Sequence, residues 1–353
     1  MSRQYSILVP VLVGVLVMSP LTAAGVGLLP GSFDDASQAM TASNATGVTS
    51  CRTIDEPGRY ELTTDITNGS TDACIRITAD DVVFDGNGHV IDGVNATEGS
   101  GITTPLVSRL RSNVTVANVT VTNWQFGVEY KAFESGRIEN VTVTDSKWSI
   151  SLSKASITVA NSTVSNSSWA GIQVTGSAYG TDYHTRLVGN ELTNNRQGVR
   201  LLMDDESSVV VEGNTLRAND DGLWVNNADN LTVSGNAFTA NTDGIHVYST
   251  NQKWADDCQD PPLAQAAVHR NAFVDNREYA VNNDADMTLN ATWNYWGTSD
   301  GPSSAADADA PFVDPVTDEP ADGSGGAVSE GPHDGVSNVH FDDALGENPL
   351  TSA

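Results

Sequence analysis

The stretch NTLRANDDGLWVNNADNLTVSGNAFTANTDGIHV, from Asn214 to Val247, says the same thing twice. Asn214 and Asn219 bracket an apolar Leu216, Asn236 and Asn241 bracket Phe238, and each pair leads to an Asp-Gly step and an alternating strand, GLWV from Gly222 and GIHV from Gly244. Outward in both directions the phrase recurs at Asn118/Asn123, Asn140/Asp145, Asn161/Asn166, Asn190/Asn195 and Asn271/Asn276, always with an internal spacing of five. Each is followed by a small residue and a short strand: GVEY from Gly127, SISL from Ser149, GIQV from Gly171, GVRL from Gly198 and AVNN from Ala280. Such a repeat defines a solenoid.

Most phrases follow one another at 21 to 24 residues. Within a unit, β-branched residues run in period two (VTV, ITV, VVV, LTV), which excludes helical repeats and makes each unit one coil of strands. An Asn at one place in every coil has a physical reason. Its amide bonds its own backbone in a turn and stacks on the Asn of the next coil, so the spacing predicts an inward asparagine ladder. By that register Asn118, Asn140 and Asn161 face inward, where a glycan cannot be housed although all three head Asn-x-Ser/Thr sequons. Asn44, Asn68, Asn95, Asn113 and Asn230 are the expected acceptors.

Two further motifs, DVVFDGNGHVIDG from Asp81 to Gly93 and WNYWGTSDGP from Trp293 to Pro302, together with the repeats and the late SNVHFDDAL, make the chain resemble NosD-like proteins over roughly residues 51 to 345. These are a branch of the pectin-lyase-like fold. The resemblance implies an all-β fold, a right-handed parallel β-helix, here of roughly nine coils. It implies little about chemistry, because that scaffold hosts lyases, epimerases, hydrolases, binding proteins and a copper-enzyme maturation factor.

Formal charge is -28, from 45 acidic and 17 basic side chains. This disfavours nonspecific attraction to nucleic acid or an anionic membrane and suits a surface solvated in concentrated salt. Arg3, the apolar run Ile7 to Met18 and the small residues Thr22 to Ala24 read as a signal peptide cleaved near Ala24, with an uncleaved membrane anchor as the competing reading. The expected location is therefore secreted or cell-surface. The expected organisation is signal peptide 1–24, linker 25–50, β-helix 51–302, acidic flexible linker 303–333, with a cap as the alternative for that stretch, terminal strand 334–345 and tail 346–353. Export permits disulfides, and Cys51 pairs with Cys74 around one N-terminal segment, which leaves Cys258 as a free thiol, a metal ligand or an intermolecular partner.

Two coils carry insertions at one register, TGSAYGTDYHTR with Tyr179, Tyr183 and His184, and STNQKWADDCQDPPLAQ with Lys253, Trp254 and Asp256. Insertions at one register project from one face, often the binding face. Strand alternation turns Glu129, Ser151, Gln173, Arg200, Trp224, His246 and Asn282 outward between them. Arg200, Trp224, His246 and Tyr248 are the expected ligand residues. Trp224 would stack a sugar ring, Arg200 clamp a carboxylate, and His246 bond hydroxyls or move a proton. Asp221 and Asp243 precede their glycines and stack one coil apart, as structural turn residues or as a carboxylate pair or Ca²⁺ site. ANTDGI and ANDDGL resemble polygalacturonase fragments, but the Gly-His-Gly and Arg-x-Lys elements of that family are absent, and so are the epimerase Asp-Pro-His motif and a lyase signature. Copper would need His246, His269 and Cys258 to meet through the second insertion. Two readings follow: a β-helix binding, or processing, an acidic polysaccharide or cell-surface glycan, and a NosD-like accessory protein for an extracytoplasmic metalloenzyme.

Overall fold

The computed structural model describes residues 45–351 except 68, 70–71, 95–97, 107–109, 177–181, 204–206, 227–229, 249–265 and 286. Among them every regular element is a strand, wound into a parallel solenoid of about ten coils. One coil runs through Asp221–Asn226, Leu231–Ser234 and Ala237–Thr239. These three legs pair in parallel with Asp243–Val247, Ala267–His269 and Ala272–Val274 of the next coil. The first and second legs share one sheet because Phe126–Glu139 and Trp148–Ala160 run unbroken through both, bending near Ala132 and Lys154 at positive φ. The third legs form a separate eight-stranded sheet. Period-two alternation sends Leu223, Val225, Leu231, Val233 and Phe238 into a shared core, where Phe238 stacks on Phe273 and Phe273 on Trp296.

The corners on either side of the third leg carry two amide ladders. At the first, Asn190, Asn214, Asn236, Asn271 and Asn294 are buried, and from Asn214 onward each Oδ1 accepts from both the backbone N–H and the Nδ2 of the preceding Asn at 2.8 to 3.1 Å. At the second, Asn195, Asn219, Asn241 and Asn276 repeat the pattern.

The earlier coils correct the expected register. Thr163 pairs with Glu191, which aligns Ser162, not Asn161, with Asn190. Asn118, Asn140 and Asn161 are exposed, with φ of 52°, 52° and 50°, at the left-handed corner that Gly189, Gly213 and Gly235 take later. Val119, Val141 and Ser162 fill the inward place. Asn123, Asp145 and Asn166 are likewise exposed, with Trp124, Ser146 and Ser167 inside. The cause is that Asn suits both jobs, a left-handed backbone and a buried ladder, so the phrase slides by one residue without changing its spacing. Burial therefore does not bar glycans from Asn118, Asn140 and Asn161.

Cys51 and Cys74 are bonded, tying together strands Arg52–Ile54 and Ala73–Ile77, which also pair through the backbone. Among the described residues the first strand is Thr46–Val48, inside the expected linker, paired with Gly58–Leu62. The acidic segment 303–333 is a folded cap and not a flexible linker. Its anchor is the buried Asp314, whose carboxylate accepts the N–H groups of Val316, Thr317, Phe341 and Asp342 and meets His340 Nδ1 at 2.9 Å. Burial opposes that charge, but the donors outweigh it and hold the carboxyl below its ordinary range. Beyond the cap, the two-residue strand Val339–His340 pairs with Leu289–Asn290.

Removing one rung tests the ladder. Asn219→Ala strips the acceptor from the Asn195 N–H and Nδ2 and the donor from the Leu192 carbonyl. We expect a loss of about 3 kcal/mol or more in urea unfolding. Asn219→Ser should cost less, since the hydroxyls of Ser146 and Ser162 accept backbone N–H groups at equivalent places.

Candidate functional site

Strand pairing puts Glu129, Ser151, Gln173, Arg200, Trp224, His246 and Asn282 in one column on the first legs, as the alternation requires. Members of that column differ. Glu129 is buried and satisfied, accepting from Thr103 at 2.9 Å and pairing with Lys131 at 2.7 Å. Arg200 has its Nε buried and unbonded among the described residues.

Around the column runs a file of rings and cations that crosses six coils. Phe126 stacks on Trp148 at 4.8 Å, Trp148 meets Trp169 at 6.5 Å, and Lys147 lies 4.3 Å over Trp148. Arg196 and Arg200 lie over Trp169 at 4.3 and 5.8 Å, Arg200 also lies 4.7 Å over Trp224, and Trp224 stacks on Tyr248 at 5.4 Å. Trp224 is thus sandwiched and only 9% exposed, so it has no open face for a sugar. The open ring is Tyr248, 44% exposed.

Beside Tyr248 lies an acid cluster. Asp221 and Asp243 stack in register, as the sequence predicts. His246 joins three coils through Asp221 at 3.3 Å, Asp243 at 3.9 Å and Asp284 at 2.9 Å. Gln197 donates to Asp221, while Asn282 and the Tyr279 N–H donate to Asp243. One donor atom from each of Asp221, Asp243 and His246 falls within 4.8 Å of the others, a carboxylate and imidazole set suited to Zn²⁺ or Mn²⁺ rather than to Ca²⁺, which takes oxygen ligands, or to Cu(I). A protonated imidazole already does what a cation would do there, holding the carboxylates together. His269 sits on a second leg, away from His246, and Cys258 lies outside the described residues.

The family described as right handed beta helix region matches residues 106–260, the coils that hold the file. The protein is a right-handed parallel β-helix. No curated protein and no solved structure matches it.

In this β-helix, sequence reading brought Arg200, Trp224, His246 and Tyr248 together but missed Trp169, Arg196 and Asp284. A signal existed: the residues just after each ladder phrase, Phe126, Lys147, Trp148, Trp169 and Arg196, are aromatic or basic coil after coil. Of the two insertions, Tyr179, Lys253, Trp254 and Asp256 lie outside the described residues, as does the N-terminal segment 1–44. Tyr183 is buried, and His184 bonds the Ser208 hydroxyl at 2.6 Å.

The cluster has its own electrostatics. Burial opposes protonation of His246, but hydrogen bonds and charge from Asp221 and Asp284 prevail and raise its pKa to about 9. Burial raises Asp243, partly offset by the Asn282 hydrogen bond and the His246 charge. Burial and the neighbouring Arg196 lower Arg200. Because the folded pKa of His246 exceeds its unfolded value near 6.5, its stabilisation is complete below that value and disappears as pH rises to about 9. Urea midpoints of the β-helix should fall between pH 6.5 and 9, and His246→Gln should flatten that fall. An equal decline in both proteins would remove His246 from the account.

Proposed function

We propose that this β-helix binds an anionic polysaccharide along the file from Phe126 to Tyr248. The observation that carries the reading is that Lys147, Arg196 and Arg200 lie against aromatic faces and form no ion pair among the described residues. In a chain with 45 acidic and 17 basic residues, three adjacent cations without carboxylates are out of place unless the carboxylates arrive on a ligand. Five steps between coils at about 4.8 Å make the file roughly 24 Å long, enough for several sugar rings in a row. A sugar ring would stack on the exposed Tyr248, and uronate or sulfate groups would meet the cations that lie against Trp148, Trp169 and Trp224.

Binding is favoured over cleavage by the state of the carboxylates. Asp221 and Asp243 are both engaged, by Gln197, Asn282, the Tyr279 N–H and a His246 that is protonated at neutral pH. Release of oligosaccharide from a bound uronate polymer would change the reading to a lyase or hydrolase. Export to the cell surface belongs to the same proposal, because polymers of this kind are extracellular.

The test is calorimetric titration of the full chain with a uronate polymer and an uncharged glucan. Arg200→Ala and Tyr248→Ala should each weaken uronate binding about tenfold, with Tyr248→Ala leaving stability nearly intact because that ring is exposed. Arg200→Lys should also weaken it, since a point charge does not replace the flat guanidinium on Trp224. Trp224→Ala should weaken binding and also cost about 2 kcal/mol or more of stability, as its ring supports Arg200 and Tyr248 from within. Parent-like affinity in both Arg200→Ala and Tyr248→Ala would refute the file as the binding surface.

A further inference from the structure

The corner between the second and third legs always turns through a left-handed residue. Asn118, Asn140, Asn161, Gly189, Gly213 and Gly235 hold it in successive coils, residue types that accept positive φ with little strain. The next two coils place Arg270 (φ 57°) and Trp293 (φ 63°) there, joined by the Arg270 N–H donating to the Trp293 carbonyl at 2.7 Å. Bulky side chains in that conformation are strained, and Asn or Gly would serve the turn better. The turn therefore does not explain why this corner holds Arg and Trp.

What they do explain is a surface. Trp293 is 50% exposed, yet its ring is pinned by Nε1 donating to Asp343 Oδ2 at 3.0 Å. Arg270 is exposed and forms no ion pair among the described residues. With His269 and Thr292 they line an open depression of about 250 Å³. Burial and the Arg270 charge hold the His269 imidazole below its ordinary range, so near neutral pH it offers one N–H and one lone pair. The approach along the preceding coils is clear: a Cβ at Gly213 would meet nothing within 4 Å, and one at Gly235 only the Gly213 nitrogen at 3.8 Å.

We propose that this corner is a second saccharide site, taking a pyranose ring that carries a carboxylate or sulfate. The ring lies on Trp293, its anionic group meets Arg270, and its hydroxyls bond His269 and Thr292. The site shares only a ligand class with the file on the first legs and stands on a different corner of the coil, so each can fail alone. Two such sites would let one molecule hold two polymer chains, or two stretches of one.

The test is titration of the full chain with a six-residue oligoglucuronate and an uncharged oligoglucose of equal length, followed by calorimetry and tryptophan fluorescence. Trp293→Asn and Arg270→Asn restore the residue that the chain itself uses at Asn140 and Asn161, so both should fold with thermal midpoints no lower than the parent's. Each should weaken one of the two oligoglucuronate binding events about fivefold or more and leave the event that Arg200→Ala weakens unchanged, and Trp293→Tyr should keep most of both. If both Asn variants bind as the parent does while Arg200→Ala is weakened, this corner is not a site and the file stands. If the corner variants lose binding while Arg200→Ala and Tyr248→Ala do not, the file falls and the corner stands. Equal parent affinity for the uncharged oligomer, or no binding of either, overturns the proposal.

Discussion

A side-chain amide buried in the wall of a parallel coil finds partners in one direction, along the solenoid axis. Its oxygen must accept from the coil before and its nitrogen must donate to the coil after, or it is left unsatisfied in an apolar core. In the later coils of this protein that requirement is met twice per coil, at Asn214 and Asn219 and their counterparts. Each rung aligns the next strand to the residue, because a slip of one would turn every side chain inside out. The straight outer columns, and with them the placement of Arg200, Trp224 and His246 in adjacent coils, depend on this register.

The repeat was legible because its cause is periodic. Coil length, strand alternation, the column through Trp224 and the pairing of Cys51 with Cys74 all follow from spacings in the chain. What spacing does not resolve is which of two neighbouring residues bears the burial when one residue type fits both places. Asn161 and Asn190 look alike in sequence, and only their strand partners separate an exposed left-handed corner from a buried rung. The choice between linker and cap for the acidic segment was illegible for a different reason. The segment's composition is that of a solvated linker, and its order comes from one buried carboxylate, Asp314, gathering backbone donors from within the segment and from the stretch after it.

The surface was half legible. Alternation says which side chains point outward, but not what they do to one another once there. Trp224 reads as a stacking platform in sequence; the coil spacing makes it the filling of a sandwich, because rings and guanidinium groups in adjacent coils arrive at stacking distance. The ladder that gives the file its register thereby also conceals some of its members. Tyr248 escapes because it ends the file, with Trp224 on one side of its ring.

A surface that gathers unpaired cations on so acidic a chain sets two ranges of electrostatics against each other. At long range a net charge of -28 repels any polyanion. At contact, Lys147, Arg196 and Arg200 sit on aromatic faces that hold them in place without neutralising them. Salt separates the two, because the screening length shrinks from about 10 Å at 0.1 M to about 3 Å at 1 M. Concentrated salt removes most of the long-range repulsion, while stacking on Tyr248 and guanidinium contacts shorter than the screening length persist in part. The acidity that keeps the chain soluble and the cationic file that would take an anionic ligand are therefore compatible in brine, where only contact-range chemistry discriminates.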